Sequence, residues 1–241
     1  MSPESIRESV LCSQISKLNF ILRHQLVRVD SRDNNGRTSL HLAIIYSNIP
    51  AVKLLIKYGI NLDFQDNEGK TALHLAIQHS NIQAIKVLLA HGVKINVKDL
   101  LGFTPLHLAL HSNNYLSNKE AVFLLVANGA NVNTANSAKK TPLHTAVSSF
   151  NRYAVALLLK AGANVNVKDE TKSTVLHYAV NQNDLNFVQF FLINGVNDSI
   201  VNAYGKTALE MAQNVSDWRI AAILKSYKTS KLDQKLQLQD N

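Results

Sequence analysis

Cysteine is nearly missing from this 241-residue chain: Cys12 is the only one. That excludes a disulfide framework and any cysteine-based zinc site, and it suits a reducing compartment. No apolar run approaches the ~18 residues that a membrane span needs. The opening stretch MSPESIRESV carries two glutamates and no hydrophobic core, so no signal peptide is expected there. Glycine and proline are also scarce, at nine and four residues. An apolar content of 46% argues against disorder, and the low glycine and proline against collagen-like or low-complexity classes.

The few glycines fall in two columns. One holds Gly36, Gly69, Gly102 and Gly205; the other holds Gly59, Gly92, Gly129, Gly162 and Gly195. Threonines 38, 71, 104, 141, 174 and 207 repeat at intervals of 33, 33, 37, 33 and 33 residues. Five residues before each stands Asp33, Asp66, Asp99, Asn136, Asp169 or Asn202. A fixed period of this length signals a repeat architecture and overrides a two-domain reading. Within one unit, Asp66 to Lys70 reads as a turn and Thr71 as a helix N-cap. Residues 72–77 open a short helix, which Ser80 and Asn81 break, with Asn81 suited to the left-handed conformation. A second helix runs from Ile82 to about His91, and Gly92 closes it. Pro3, Pro50, Pro105 and Pro142 all fit first helical positions, where a missing N–H costs nothing.

The segments Thr104-Pro-Leu-His-Leu-Ala109 and Thr141-Pro-Leu-His-Thr-Ala146 resemble the ankyrin repeat signature, at its period. Gly129-Ala-Asn-Val-Asn133 and Gly162-Ala-Asn-Val-Asn166 are similar to the family's repeat ending. The resemblance covers roughly residues 33–227. It implies an all-α repeat solenoid of helix-turn-helix units with β-hairpin tips. The units are a divergent N-cap at 1–32, full repeats at 33–65, 66–98, 99–135, 136–168 and 169–201, and a C-cap at 202–227. Ser5 occupies the threonine position of the N-cap unit, where Arg7 and Glu8 give a polar first helix. Residues 228–241 are polar and expected to fray. The four extra residues of the third repeat, around Asn114–Asn118, are expected to lengthen the loop between its helices. Lys139 and Lys172 stand where other tips carry glycine, so each must hold a positive φ.

Catalytic and metal chemistry finds no support. Five histidines (His41, His74, His107, His144 and His177) form one column, spaced too far apart to share an ion. The family resemblance implies that each hydrogen-bonds backbone and ties adjacent turns together. His107 and His111 are four apart on a helix, yet no carboxylate accompanies them. Gly69-Lys70-Thr71 and Gly205-Lys206-Thr207 mimic the end of a phosphate-binding loop, but its upstream glycine is absent: Phe64 and Ile200 stand there. No cofactor, metal or catalytic residue is expected. The net charge of +8 is spread as +4 over residues 1–120 and +4 over 121–241, without a dense basic run. Nucleic acid is therefore the minor alternative, and no membrane partner is expected.

What remains is a protein-binding module: an adaptor, scaffold or competitive inhibitor, monomeric and cytoplasmic. The nucleus, or a host cell for a secreted effector, are the alternative locations. The family's contact positions fall on Asn34, Asn35, Arg37, Ile45 and Tyr46 in the first repeat. They fall on Asn67, Glu68, Lys70, Gln78 and His79 in the second, and on Leu100, Leu101, Phe103, His111 and Ser112 in the third. Later repeats supply Ser137, Ala138, Lys140, Ser148 and Ser149, then Glu170, Thr171, Ser173, Asn181 and Gln182. The C-cap adds Ala203, Tyr204 and Lys206. Leu100, Leu101 and Phe103 put three large apolar residues on a tip that is polar elsewhere, an expected anchor for a partner unless Tyr115 or Leu116 folds over it. Lysines at the later tips, including Lys140 and Lys206, suit an acidic protein partner. An inhibitor similar to the ankyrin inhibitors of Rel-type transcription factors is a narrower reading, although no acidic C-terminal region is present. The abundance of Asn, Lys and Ile fits an AT-rich genome, the ground for considering a host-directed effector.

Overall fold

A computed structural model describes residues 3–26, 29–111, 115–214 and 217–239. The chain divides into two compact units, Met1–Asn131 and Val132–Asn241, where the period alone pointed to one uninterrupted array. Unit 1 holds α1 (Pro3–Leu11), α2 (Ile15–Arg23), α3 (Ser39–Ile45), α4 (Ile49–Lys57), α5 (Ala72–Gln78), α6 (Ile82–Ala90), α7 (Pro105–His111) and α8 (Tyr115–Ala127). Unit 2 holds α9 (Pro142–Ser148), α10 (Arg152–Lys160), α11 (Val175–Asn181), α12 (Leu185–Ile193), α13 (Ala208–Ala212) and α14 (Trp218–Gln239).

Each unit is a two-layer stack. In unit 1, α1, α3, α5 and α7 pack in sequence as one layer, and α2, α4, α6 and α8 as the other. In unit 2, α9, α11 and α13 form one layer, and α12 packs on α14 in the other. The periodic apolar positions make the core: Leu40, Ala43 and Ile44 of α3, Leu73, Ala76 and Ile77 of α5, and Ile85 and Leu88 of α6 are buried. Leu176, Val180, Val188 and Phe191 do the same in unit 2. Burying each large aliphatic side chain contributes roughly 1.5–3 kcal/mol.

The caps follow the sequence. Thr38, Thr71, Thr141 and Thr174 have extended backbone and form capping boxes with the histidine three residues on. In the second of these, the Thr71 N–H donates to His74 Nδ1 at 3.1 Å. That fixes the neutral ring's hydrogen on Nε2, which donates to the Phe103 carbonyl of the next tip at 3.1 Å. His144 reaches Ser173 at 3.3 Å and His177 reaches Lys206 at 3.1 Å in the same way. His41 Nε2 is buried without a partner in hydrogen-bonding geometry.

Several expectations need correction. The described residues contain no strand, so the tips are tight turns rather than β-hairpins. Each closes with too few backbone bonds for a ladder: Asp66 N–H to the Lys70 carbonyl and Gly69 N–H to the Asp66 carbonyl. Neighbouring tips join through single backbone bonds, such as Leu100 N–H to the Glu68 carbonyl. The left-handed residue between helices is Ser80 (φ 52°), while Asn81 caps α6 by accepting from the Ala84 N–H. Pro50 is the second residue of α4. Ser5 lies inside α1 and accepts the Ser9 hydroxyl on its carbonyl. Residues 115–118 belong to α8, which has 13 residues against nine in α6, so the insertion extends a helix. Four residues are close to one helical turn, which keeps the buried face in phase. Of the predicted loop and contact positions there, Ser112 and Asn114 lie outside the described residues. Beyond Tyr227, where fraying was expected, α14 continues to Gln239.

Candidate functional site

The tips are built by the acidic-or-Asn column. Asp66 Oδ1 accepts the N–H groups of Glu68 and Lys70, both at 2.9 Å, and Asp99 Oδ1 accepts those of Leu101 and Phe103 at 2.9 and 2.8 Å. Asp169 does the same for Thr171 and Ser173, both at 2.9 Å. One side-chain oxygen per repeat therefore shapes the turn and leaves the intervening side chains pointing outward. A second ladder ties the far ends of the repeats. In unit 1, Asp63 accepts the Lys94 N–H and Asn96 the Asn131 N–H, both at 2.8 Å. In unit 2, Asn133 accepts the Asn164 N–H at 2.8 Å and Asn166 the Asn197 N–H at 2.7 Å. The closing Asn-Val-Asn motif was the sequence sign of this ladder.

In unit 1 the tips and first helices line a groove of about 430 Å³ that brings together Arg37, Ile45, Asn67, Glu68, Lys70, Gln78 and His79. Its charges are matched within the tips. Arg37 Nε lies 3.1 Å from Asp33 Oδ2, and Lys70 Nζ lies 2.9 Å from Glu68 Oε2 and 3.1 Å from Gln78 Oε1. The Lys70 ammonium holds the Glu68 carboxyl below its ordinary value. Burial would raise the Asp33 carboxyl, but bonds from Arg37 and Asn35 bring it below its ordinary value. Tyr46 is exposed but lies outside this groove's lining.

On the third tip, Leu100 is 73% exposed and Leu101 66% exposed; the side chains of Tyr115 and Leu116, the alternative cover for this tip, lie outside the described residues. Phe103 is half-buried: its ring meets His107 edge-on at 5.8 Å and His111 at 6.4 Å. His107 is buried with Nδ1 held by the Thr104 N–H at 3.2 Å, whereas His111 is exposed. The two rings thus do not offer a shared pair of free nitrogens. Among the described residues no cluster of three or more His, Cys, Asp or Glu could hold a metal ion. No described helix is long and apolar enough to cross a membrane.

Unit 2 has a groove of about 520 Å³ lined by Thr171, Ser173, Tyr178, Asn181, Tyr204, Lys206 and Met211, among others. Lys140 stands beside it, with Nζ 5.3 Å from the centre of the Tyr178 ring. Tyr178 is not among the contact positions expected from the sequence, though it occupies the position after the column histidine where Leu42, Leu75 and Leu108 stand in other repeats. That position departs from leucine at Thr145 and Tyr178, and the aromatic one was the available signal. Lys139 and Lys172 do adopt positive φ, 56° and 58°, and make the same turn bonds as the glycine tips. Exposed Ile193, Trp218 and Phe150 were also missed, because one repeat period does not distinguish an outer face from a buried one.

A profile of three ankyrin repeats matches residues 10–99 and 97–169, and a profile of multiple ankyrin repeats matches residues 158–212. No match was found among curated proteins. Among solved structures, the ankyrin repeat domain of Bcl-3, described as a unique member of the IkappaB protein family, is 27% identical with a TM-score of 0.81. That similarity covers 92% of this chain and 97% of the Bcl-3 domain. Matched through its repeats and similar in fold to a solved ankyrin domain, the chain belongs to the ankyrin repeat family, whose members generally mediate protein–protein interaction.

Proposed function

We propose that this chain is a non-catalytic adaptor, scaffold or competitive inhibitor that captures another protein on its tip and first-helix face. The carrying observation is the third tip, where Leu100 and Leu101 are exposed beside a half-buried Phe103. Apolar side chains held in water by a rigid turn gain free energy when a partner covers them, and they cost the partner little ordering. Arg37, Tyr46, Lys70, His79 and His111 supply the surrounding polar contacts in unit 1. Lys140, Tyr204 and Lys206 do so in unit 2 and favour a partner with an acidic surface. The single free Cys12 supports action in a reducing compartment, the cytoplasm or nucleus.

The likeness to a domain of the IkappaB family favours one narrower reading, an inhibitor that occupies a Rel-type transcription factor. The test is capture of a purified partner by the wild-type chain and by the Leu101→Asp, Phe103→Asp variant. Binding is expected to weaken at least about a hundredfold, as loss of a hot spot does, with melting unchanged. Unchanged binding overturns the anchor. A Rel-type factor that neither binds nor loses its DNA overturns the narrower reading.

A further inference from the structure

The chain holds three Asn–Gly steps: Asn35-Gly36, Asn128-Gly129 and Asn194-Gly195. Such a step is open to attack of the glycine backbone nitrogen on the asparagine side-chain amide, because glycine brings no Cβ to crowd the ring that forms. The attack needs the glycine N–H to give up its proton and swing toward the side chain. An N–H held by a carbonyl resists both. The three steps differ in this respect.

Asn35-Gly36 lies on the first tip. Gly36 is buried, its N–H donates to the Asp33 carbonyl at 2.9 Å, and the Asn35 carbonyl accepts the Asn67 N–H at 2.9 Å. Asn128 and Asn194 occupy equivalent places, directly after α8 and α12 and before a closing glycine. Asn128 Nδ2 donates to the Leu124 carbonyl and Asn194 Nδ2 to the Phe190 carbonyl, both at 2.7 Å. All four residues of these two steps are exposed, and a Cβ on either glycine would meet nothing within 4 Å. The contrast is in the glycine N–H. Gly59, Gly92, Gly129 and Gly162 donate to the carbonyl three residues back, at 2.9, 3.2, 3.1 and 3.0 Å. The Gly195 N–H has no such bond among the described residues.

We infer that Asn194 is a site of spontaneous deamidation, a slow chemical change open to unit 2 and resisted at the matching step of unit 1. The deprotonated Gly195 nitrogen attacks Asn194 Cγ, the new N–C bond closes a succinimide, and the side-chain nitrogen leaves with its protons as ammonia. Water then opens either carbonyl of the ring and leaves aspartate or isoaspartate. The net change consumes one water and releases one ammonia, with nothing oxidised or reduced. Turning about the Asn194 ψ of 23° to bring the Gly195 nitrogen toward Cγ breaks no bond of that N–H. The product inverts the cap: a donor to the Phe190 carbonyl becomes a carboxylate at the negative end of α12. Leu192 and Ile193 on that last turn line a groove with Ile223 and Tyr227 of α14, so the weakened turn is one that meets α14. This inference does not depend on the binding reading.

The experiment incubates the full chain at neutral and mildly alkaline pH, native and in urea. Mass spectrometry of the three Asn–Gly peptides and an isoaspartate assay follow conversion. In the native chain Asn194 is expected to convert roughly fivefold faster than Asn128, what one net hydrogen bond is worth as a rate ratio. Asn35 is expected to be slowest, and the Asn194 rate to rise with pH. In urea the three rates are expected to converge. Asn194→Asp, the product itself, is expected to melt lower than the wild type and to lose amide protection in α12 and α14, with α3 to α6 unchanged. Equal native rates at Asn128 and Asn194, or no native conversion while the urea arm converts, overturns the inference. So does a rate ratio that persists in urea, which would make local sequence the cause. Unchanged melting of Asn194→Asp overturns the effect assigned to α12.

Discussion

The tips of the two units use one turn for opposite ends. In unit 1 the Asp33–Arg37 and Glu68–Lys70 pairs neutralise their own tips, and the third tip offers leucines. In unit 2, Lys139 and Lys172 replace the turn glycine and carry their charge outward. The backbone bonds are the same: Gly69 N–H to the Asp66 carbonyl at 3.0 Å, Lys172 N–H to the Asp169 carbonyl at 3.0 Å. The difference teaches that the turn is set by the Asp-or-Asn acceptor and the capping threonine, whereas the tip side chains are left free to specify a partner. It also shows where glycine is needed for more than its φ. A Cβ on Gly69 would lie 2.7 Å from the Leu100 backbone nitrogen, so a side chain there must displace the next tip.

The largest expected effect tests whether the two units share their histidine device. Burial, the largest influence, holds His41, His74, His144 and His177 below the ordinary histidine value. Their folded pKa lies below the unfolded one, so their contribution is fully present above about pH 6.5 and is lost as pH falls from there toward the folded values. The urea midpoint should therefore fall between pH 7.5 and 5.5, with amide protection lost in both units; loss in one unit alone would break the symmetry. Next, Gly69→Ala should destabilise by about 2 kcal/mol, from positive φ plus the clash with Leu100. Lys139→Gly and Lys172→Gly should each stabilise by about 1 kcal/mol, read as higher melting temperatures. Unchanged melting would mean the lysine turns carry no strain. Smallest is Glu68→Gln, expected to cost under about 0.5 kcal/mol in a denaturant titration, because its partner pair is solvent-exposed on the glutamate side.

Most of the helical frame was legible in the sequence. Threonine caps, column histidines and closing glycines act locally, through bonds to residues a few positions away, so spacing alone reveals them. The histidine Nε2 bonds reach 29 residues ahead, yet the 33-residue period made them readable as well. The insertion was not legible: four residues at 115–118 fit a longer loop or a longer helix equally by composition, and helical phase decided. Nor was Tyr178 legible as a site residue, since its role depends on Asp169 and Lys140 meeting it from two different tips.

By itself, then, the sequence determined the repeat, its caps and turns, and which tips depart from the pattern. Those properties depend on near-neighbour backbone geometry repeated at a fixed interval. The tertiary structure decided which departing side chains reach water and which are satisfied internally. It left Leu100 and Leu101 exposed, closed Arg37 and Lys70 into ion pairs, and gathered Tyr178, Tyr204 and Lys206 around one groove. The Arg37 and Lys70 pairs close within their own tips, whereas exposure and the gathering of groove residues depend on what the next repeat brings alongside, a relation between residues some thirty positions apart that only packing fixes.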